Sequence, residues 1–122
     1  MNLRECYEAM GADFDAVLSR LRSEGLIKKF AIKFVDDPSY SQLEQTIQAE
    51  DYKEAFRAAH TIKGVAQNMG FDALAQSSSE LTECLRPAGE DKAVDLAEAG
   101  RLWTKVQEDY ARTISAIKAL EQ

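Results

Sequence analysis

The chain contains a single histidine, His60, which is the side chain best suited to chemistry near neutral pH. Its neighbours at offsets of three, four and seven residues are Arg57, Lys63, Gly64 and Gln67. These offsets bring side chains together on one face of a helix. An exposed imidazole is a nucleophile near pH 7, and a neighbouring Lys can balance the charge of an added phosphoryl group. This segment is therefore a candidate site for a phosphohistidine.

One long helix is predicted over residues 51–69. Asp51 followed by Glu54 is typical of a helix N-terminus, and Gly70 suits a left-handed position after the last turn. At about 100° per residue, His60 points about 120° away from the centre of the apolar face, which argues against a buried core histidine. That apolar face comprises Tyr52, Ala55, Phe56, Ala59, Ile62, Ala66 and Met69.

A solvent-exposed histidine without a function is the alternative, and the local charge argues against it. Acidic residues outnumber basic ones by 21 to 15, which gives the chain a net charge of -6. Residues 55–71 nevertheless form a run of 17 residues without one Asp or Glu, the longest such run in the sequence. We therefore expect the surface around His60 to be locally basic.

Gly64 is unusual because a glycine inside a helix costs about 1 kcal/mol relative to alanine. The missing side chain, one turn from His60, would let the backbone or a loop of a partner approach the imidazole closely. Close packing against the next helix, where Ser77 and Ser78 are also small, is the alternative. We favour access for a partner.

Composition excludes several classes of partner. An acidic chain lacks the clustered Lys and Arg that bind phosphate backbones, so we expect no nucleic-acid partner. No apolar run approaches the roughly 20 residues that span a bilayer, so we expect no membrane insertion. The first residues lack the charged and then apolar pattern of a signal peptide, which predicts a cytoplasmic location.

Metal and cofactor sites are not indicated either. One histidine cannot form a histidine cluster, and Cys6 and Cys84 lie too far apart for a zinc signature, so we expect two free thiols. The glycines are too scattered to form a phosphate-binding loop. We therefore expect neither metal nor cofactor, and phosphoryl transfer would need a partner that supplies the remaining chemistry.

Helical spacing recurs along almost the whole chain, and strand signals are missing. The predicted class is all-α, an antiparallel up-down four-helix bundle with short N-terminal capping helices. We expect residues 1–23 to form those short helices and residues 24–122 to form the bundle domain. The predicted main helices cover residues 24–36 together with 39–49 as one bent element, then 51–69, 72–86 and 90–121.

Two alternatives to this monomeric bundle stay open. Residues 51–86 could form a helical hairpin that is completed only in an oligomer. The last helix carries a heptad pattern that would also suit a dimeric coiled coil. However, Ala99, Gly100 and Thr113 would make a weak dimer seam, so we favour a long bundle helix and a monomer.

The motif H-T-I-K-G at residues 60–64, followed by Gln67 and Gly70, resembles the H-x-x-K-G signature of histidine-containing phosphotransfer (HPt) domains. The resemblance extends over roughly residues 24–121. It implies a four-helix bundle whose exposed histidine accepts a phosphoryl group from a receiver-domain aspartate and passes it to another in a two-component phosphorelay. It also implies a phosphocarrier that is not itself an enzyme, with a response-regulator receiver domain and a histidine kinase or hybrid kinase as partners.

The resemblance implies a role for each residue of the motif. His60 would be the phospho-acceptor and Lys63 its charge partner, while Gly64 would leave the gap that admits the receiver domain. Gln67 would form hydrogen bonds that orient the imidazole or the phosphoryl group. Arg57 is included among the candidate site residues on electrostatic grounds alone.

Two other functions are less well supported by the sequence. A helical adaptor could bind a receiver or kinase domain through the same surface without carrying phosphate, but the intact His60, Lys63 and Gly64 argue against it. A small enzyme could use His60 as a general base. No Ser, Cys or carboxylate lies near that histidine in sequence, and a convex helix face makes a poor pocket.

Overall fold

The computed structural model describes residues 1–120 and contains helices with no strand in that range, which confirms the all-α class. The helices are α1 (Leu3–Ala9), α2 (Phe14–Leu21), α3 (Glu24–Phe34), α4 (Ser39–Gln48), α5 (Tyr52–Met69), α6 (Asp72–Gly89) and α7 (Leu96–Lys118). No helix within residues 1–120 is long and apolar enough to cross a membrane.

Short polar side chains fix where several helices begin. The carboxylate of Asp51 accepts a hydrogen bond from the backbone N–H of Glu54 at 3.2 Å, which satisfies one of the free N–H groups of α5. The Glu54 side chain pairs with Arg57 instead of reaching back to residue 51, so only half of the predicted capping box forms. Asn2, Asp13, Ser23 and Asp95 cap α1, α2, α3 and α7 in the same way.

Helices α5 and α6 run in opposite directions and are joined by a tight turn. Gly70 ends α5 in the left-handed conformation, with φ +70°, and Phe71 then leads directly into α6. Lys53 near the start of α5 pairs with Asp91 beyond the end of α6, at 3.3 Å. The α5–α6 hairpin forms within one chain.

Replacing Gly70 by Ala should lower the free energy of unfolding by about 2 kcal/mol, since L-residues are disfavoured at positive φ. A Cβ at this position would also lie 3.0 Å from the Cβ of Val17 in α2. Gly25→Ala is the matched control, because a Cβ there meets only Ser23 Oγ at 3.8 Å. Urea titration of the two variants measures the difference, and equal stabilities would contradict the prediction.

Two predicted helix bounds are wrong at the connection between α6 and α7. Pro87 does not end α6, because at the last turn it removes only one backbone hydrogen bond, and the helix continues to Gly89. The last helix begins at Leu96 instead of residue 90, where the Asp95 side chain accepts from Glu98 N–H at 3.1 Å. The helix also ends at Lys118, earlier than the predicted end at residue 121, which itself lies outside the described residues.

The apolar seam of α7 is covered by the same chain, so no partner helix is needed to bury it. Val106 and Ile117 are buried, and Tyr110 stacks on Tyr40 of α4 with ring centroids 3.7 Å apart. The predicted heptad includes Leu96, Trp103, Tyr110 and Ile117, and Leu96 is its exception, with 58% of its surface exposed at the start of the helix.

The first two helices contact the end of α5. The Tyr7 hydroxyl donates to the carbonyl of Met69 at 2.7 Å, and Arg20 donates to the carbonyls of Gln67 and Asn68 at 3.2 and 2.5 Å. A cation at the negative end of a helix dipole is favourable, and these donors satisfy carbonyls left free at the last turn. Residues 1–23 therefore help to hold the histidine-bearing helix at its C-terminus.

Both cysteines are free thiols, as the sequence predicts. Cys6 is fully buried in the core, and burial raises the pKa of its thiol to about 11. A thiol that stays protonated is a poor nucleophile. Cys6 therefore contributes to packing.

Candidate functional site

His60 lies in the middle of α5 and is exposed, while its neighbours Ala59 and Ile62 are completely buried. The burial pattern therefore agrees with the orientation calculated from the helical period. Within residues 1–120 no group of three or more His, Cys, Asp and Glu side chains could hold a metal ion. The imidazole is available to solvent and to a protein partner.

The structure brings the other predicted site residues onto the same side of α5. Gln67 and Arg57 are exposed, and Lys63 is partly buried. Arg57 pairs with Glu54 at 2.7 Å, so part of its charge is already balanced. The Lys63 ammonium forms no ion pair with a carboxylate of residues 1–120, which leaves its charge available beside His60.

Gly64 faces open space. A Cβ built at this position has no heavy atom within 4 Å, apart from its own chain neighbours and the adjacent helix backbone. Close packing against α6 therefore does not explain the glycine. The surface of α5 is therefore open at Gly64, one turn from His60.

Two residues that the sequence did not indicate as part of the site also lie near the imidazole, Phe56 of α5 and Arg86 of α6. The ring of Phe56 stacks against His60, with centroids 6.4 Å apart and planes inclined by 24°. The guanidinium of Arg86 lies over the ring of Phe56, 5.3 Å from its centroid. Gly89 permits this packing, because a Cβ there would lie 3.0 Å from the Phe56 ring.

Glu83 is the acidic member of this group. Arg86 donates two hydrogen bonds to its carboxylate, at 2.9 and 2.7 Å. This hydrogen bonding lowers the pKa of Glu83, and the charges of Arg86, Lys63 and His60 contribute in the same direction. Glu83 of α6 therefore lies close enough to Lys63 and His60 to feel their charge.

The surface around His60 is more balanced in charge than the sequence predicts. The carboxylate-free run along α5 is real, but Glu83 reaches the same region from the neighbouring helix. Lys63 and Arg86 supply positive charge close to the imidazole, and Glu83 offsets part of it. Positive charge from Lys63 and Arg86 can stabilise an anionic group added to His60, and Glu83 opposes it.

The family model described as Hpt domain matches residues 38–120, more than two thirds of the 122 residues. The chain belongs to the Hpt domain family. The matched range of this Hpt domain contains α4 to α7 and leaves α1 to α3 outside it. No curated protein and no solved structure matches the chain.

Family membership fixes the general role. Hpt domains are phosphocarriers of two-component phosphorelays and work with receiver domains and kinases. This Hpt domain therefore has a phosphotransfer-related role in two-component signal transduction. The matched range includes the whole of α5, and with it His60, Lys63 and Gly64.

Proposed function

We propose that this Hpt domain carries a phosphoryl group on His60, accepting it from the aspartate of one receiver domain and donating it to that of another. The observation that carries the proposal is an exposed imidazole within one turn of an open Gly64 and of a Lys63 that forms no ion pair within residues 1–120. In the forward step a phosphorus–nitrogen bond forms at the imidazole. The phosphorus–oxygen bond of the aspartyl phosphate breaks, and the carboxylate leaves with its negative charge.

Each neighbour of His60 has a physical part in this exchange. Lys63 offsets the negative charge of the transferring group, and Gly64 lets the receiver loop reach the helix. Gln67, one turn beyond Lys63, can form a hydrogen bond with the phosphoryl oxygens or the receiver. Arg57 gives weaker electrostatic support because Glu54 already neutralises part of its charge.

Residues 24–122 are proposed to act as an antiparallel four-helix bundle, with the helices of residues 1–23 packed on it. The opposite directions of α5 and α6 support this arrangement, as do the contacts of Tyr7 and Arg20 with the end of α5. In this proposal the bundle holds His60 at the surface of the protein. The cytoplasm remains the predicted location of the exchange.

Incubation with a receiver domain carrying labelled phosphate tests the proposed function. We expect the label to appear on this chain and to be lost in acid but retained in alkali, as for a phosphohistidine. Peptide mapping should place it within α5. An adaptor that binds receivers without carrying phosphate would form the complex and acquire no label, and that outcome would refute the proposal.

Replacing Lys63 by Ala should slow transfer about tenfold, because a charge-assisted contact to a phosphoryl group contributes about 1.5 kcal/mol. The fold should be unchanged, since Lys63 pairs with no carboxylate of residues 1–120. Rapid-quench measurement of the labelling rate checks this. Lys53→Ala is the matched control on the same helix, where the ammonium pairs with Asp91 at 3.3 Å, and equal rates for both variants would count against the role of Lys63.

A further inference from the structure

The imidazole of His60 is exposed to solvent, yet it lies against one aromatic side chain. Phe56 precedes it by one helical turn, and the two rings are stacked, with centroids 6.4 Å apart. Aromatic side chains in helices point back toward the preceding turn, so Phe56 occupies the place over which this imidazole leans. The His60 side chain forms no hydrogen bond within residues 1–120, which leaves the stack to orient it.

Phe56 is itself held by α6. The guanidinium of Arg86 lies over its ring, and Arg86 is tied by two hydrogen bonds to Glu83. At Gly89 a Cβ would lie 3.0 and 3.1 Å from two carbons of the same ring. Gly89 has no positive φ, so the backbone does not require a glycine there, and contact with Phe56 is the physical reason for it. Helix α6 therefore limits the movement of the ring.

A fixed ring beneath the imidazole matters because phosphoryl transfer depends on position. A side chain on an exposed helix face samples several rotamers. Transfer needs the reacting atoms in line and about 3–3.5 Å apart, and a displacement of about 1 Å can reduce the rate a hundredfold. Reacting groups are held best when the side chains beneath them are locked by packing. The stack on Phe56 disfavours the rotamers of His60 that leave this position.

We propose that Phe56 is a positioning residue for His60 and that Gly89 sets the place of the Phe56 ring. The inference rests on the proposed function, because positioning has a consequence only if His60 accepts the phosphoryl group. It adds a different role from those of Lys63 and Gly64. Those residues act on the transferring group and on the receiver, whereas Phe56 acts only through the imidazole.

Phe56→Ala tests the proposal in transfer from a labelled receiver. The rate at saturating receiver should fall about fivefold, which corresponds to the loss of one aromatic pair. Labelling of His60 by phosphoramidate should be unchanged, because a small donor can reach the imidazole in any rotamer. Phe56→Tyr restores a ring and should recover most of the rate. Tyr52→Ala is the matched control, a half-buried aromatic residue one turn earlier on the same helix, and should transfer as the wild type.

Gly89→Ala is the second variant, since it leaves both His60 and Phe56 in the chain. The added Cβ must displace the Phe56 ring, and we expect the rate at saturating receiver to fall about threefold. The three nearest atoms that this Cβ would meet all belong to that ring. In the Phe56→Ala background, Gly89→Ala should therefore have no further effect on the rate.

Nuclear magnetic resonance of the imidazole protons follows the stack directly. His60 is the only histidine, so its ring signals need no further assignment. The field of the Phe56 ring displaces them in the wild type. Phe56→Ala should move them toward the position of free histidine, Gly89→Ala should shift them, and Tyr52→Ala should not.

Normal transfer by both Phe56→Ala and Gly89→Ala would overturn the inference. Equal slowing of transfer from the receiver and from phosphoramidate would also overturn it, because the ring would then act on the reactivity of the imidazole and not on its position. A wild type that acquires no label from a receiver would refute the proposed function instead. The imidazole signals would still show in that case whether Phe56 and Gly89 hold the ring of His60.

Discussion

A phosphorylated receiver domain should transfer no detectable phosphate to the His60→Gln variant. The glutamine amide nitrogen shares its lone pair with the carbonyl and is not a nucleophile, so no phosphorus–nitrogen bond can form. The chain offers no second imidazole, because His60 is its only histidine. The effect should therefore be a complete loss of acid-labile label, which no other single substitution in α5 is expected to produce.

The His60→Gln variant should retain the fold and should still bind the receiver domain. His60 is exposed and its ring contact with Phe56 is at 6.4 Å, so its removal should cost less than about 1 kcal/mol. Circular dichroism and thermal unfolding check the fold, and calorimetry with the unphosphorylated receiver checks binding. Acid-labile label on the His60→Gln variant would contradict the assignment of His60 as the phospho-acceptor.

Local patterns in the sequence were sufficient to predict α5 and the exposure of His60. A cap at Asp51, an apolar period of 3.6 and a glycine at position 70 are all read within one segment. Because an α-helix has a regular period of 3.6 residues, its two ends and its apolar positions together determine which side chains face the core. The exposure of His60 can therefore be predicted from this segment alone, without the rest of the sequence.

The neighbours from α6 could not be found in this way. Glu83 and Arg86 are more than 20 residues away from His60 along the chain, and only the register of the α5–α6 hairpin brings them near. The predicted end of α6 at residue 86 also left out Gly89, whereas the helix continues and carries Gly89 against Phe56. A charge count along one segment misses every charge that packing adds from another.

Glu83 changes how the site is expected to work. If His60 gains a phosphoryl group, as we propose, Lys63 and Arg86 attract the new negative charge and Glu83 repels it. Arg86 already shares its guanidinium between the Glu83 carboxylate and the Phe56 ring, so part of its charge is balanced before any group is added to His60. A phosphocarrier must release the group to a second receiver, and a partly balanced charge suits that need better than a strongly basic pocket.

Replacing Gly64 by Gln should have opposite effects on stability and on transfer. A Cβ at this position meets no atom within 4 Å, and glutamine is a better helix former, so the free energy of unfolding should rise by about 0.5 kcal/mol. The same side chain would fill the gap beside His60. Because a displacement of about 1 Å between reacting groups can reduce a rate a hundredfold, we expect a loss of that order in transfer.

Gly100→Gln separates the two effects. Gly100 is also inside a helix, in α7, and a Cβ there likewise meets nothing within 4 Å. Both variants should therefore melt about 2 °C above the wild type, while only Gly64→Gln should lose transfer. A Gly64 variant that transfers normally would show that the receiver does not approach over this residue. A Gly64 variant that melts lower would instead mean that the glycine is needed for packing, because an unobstructed helix position gains stability when glycine is replaced.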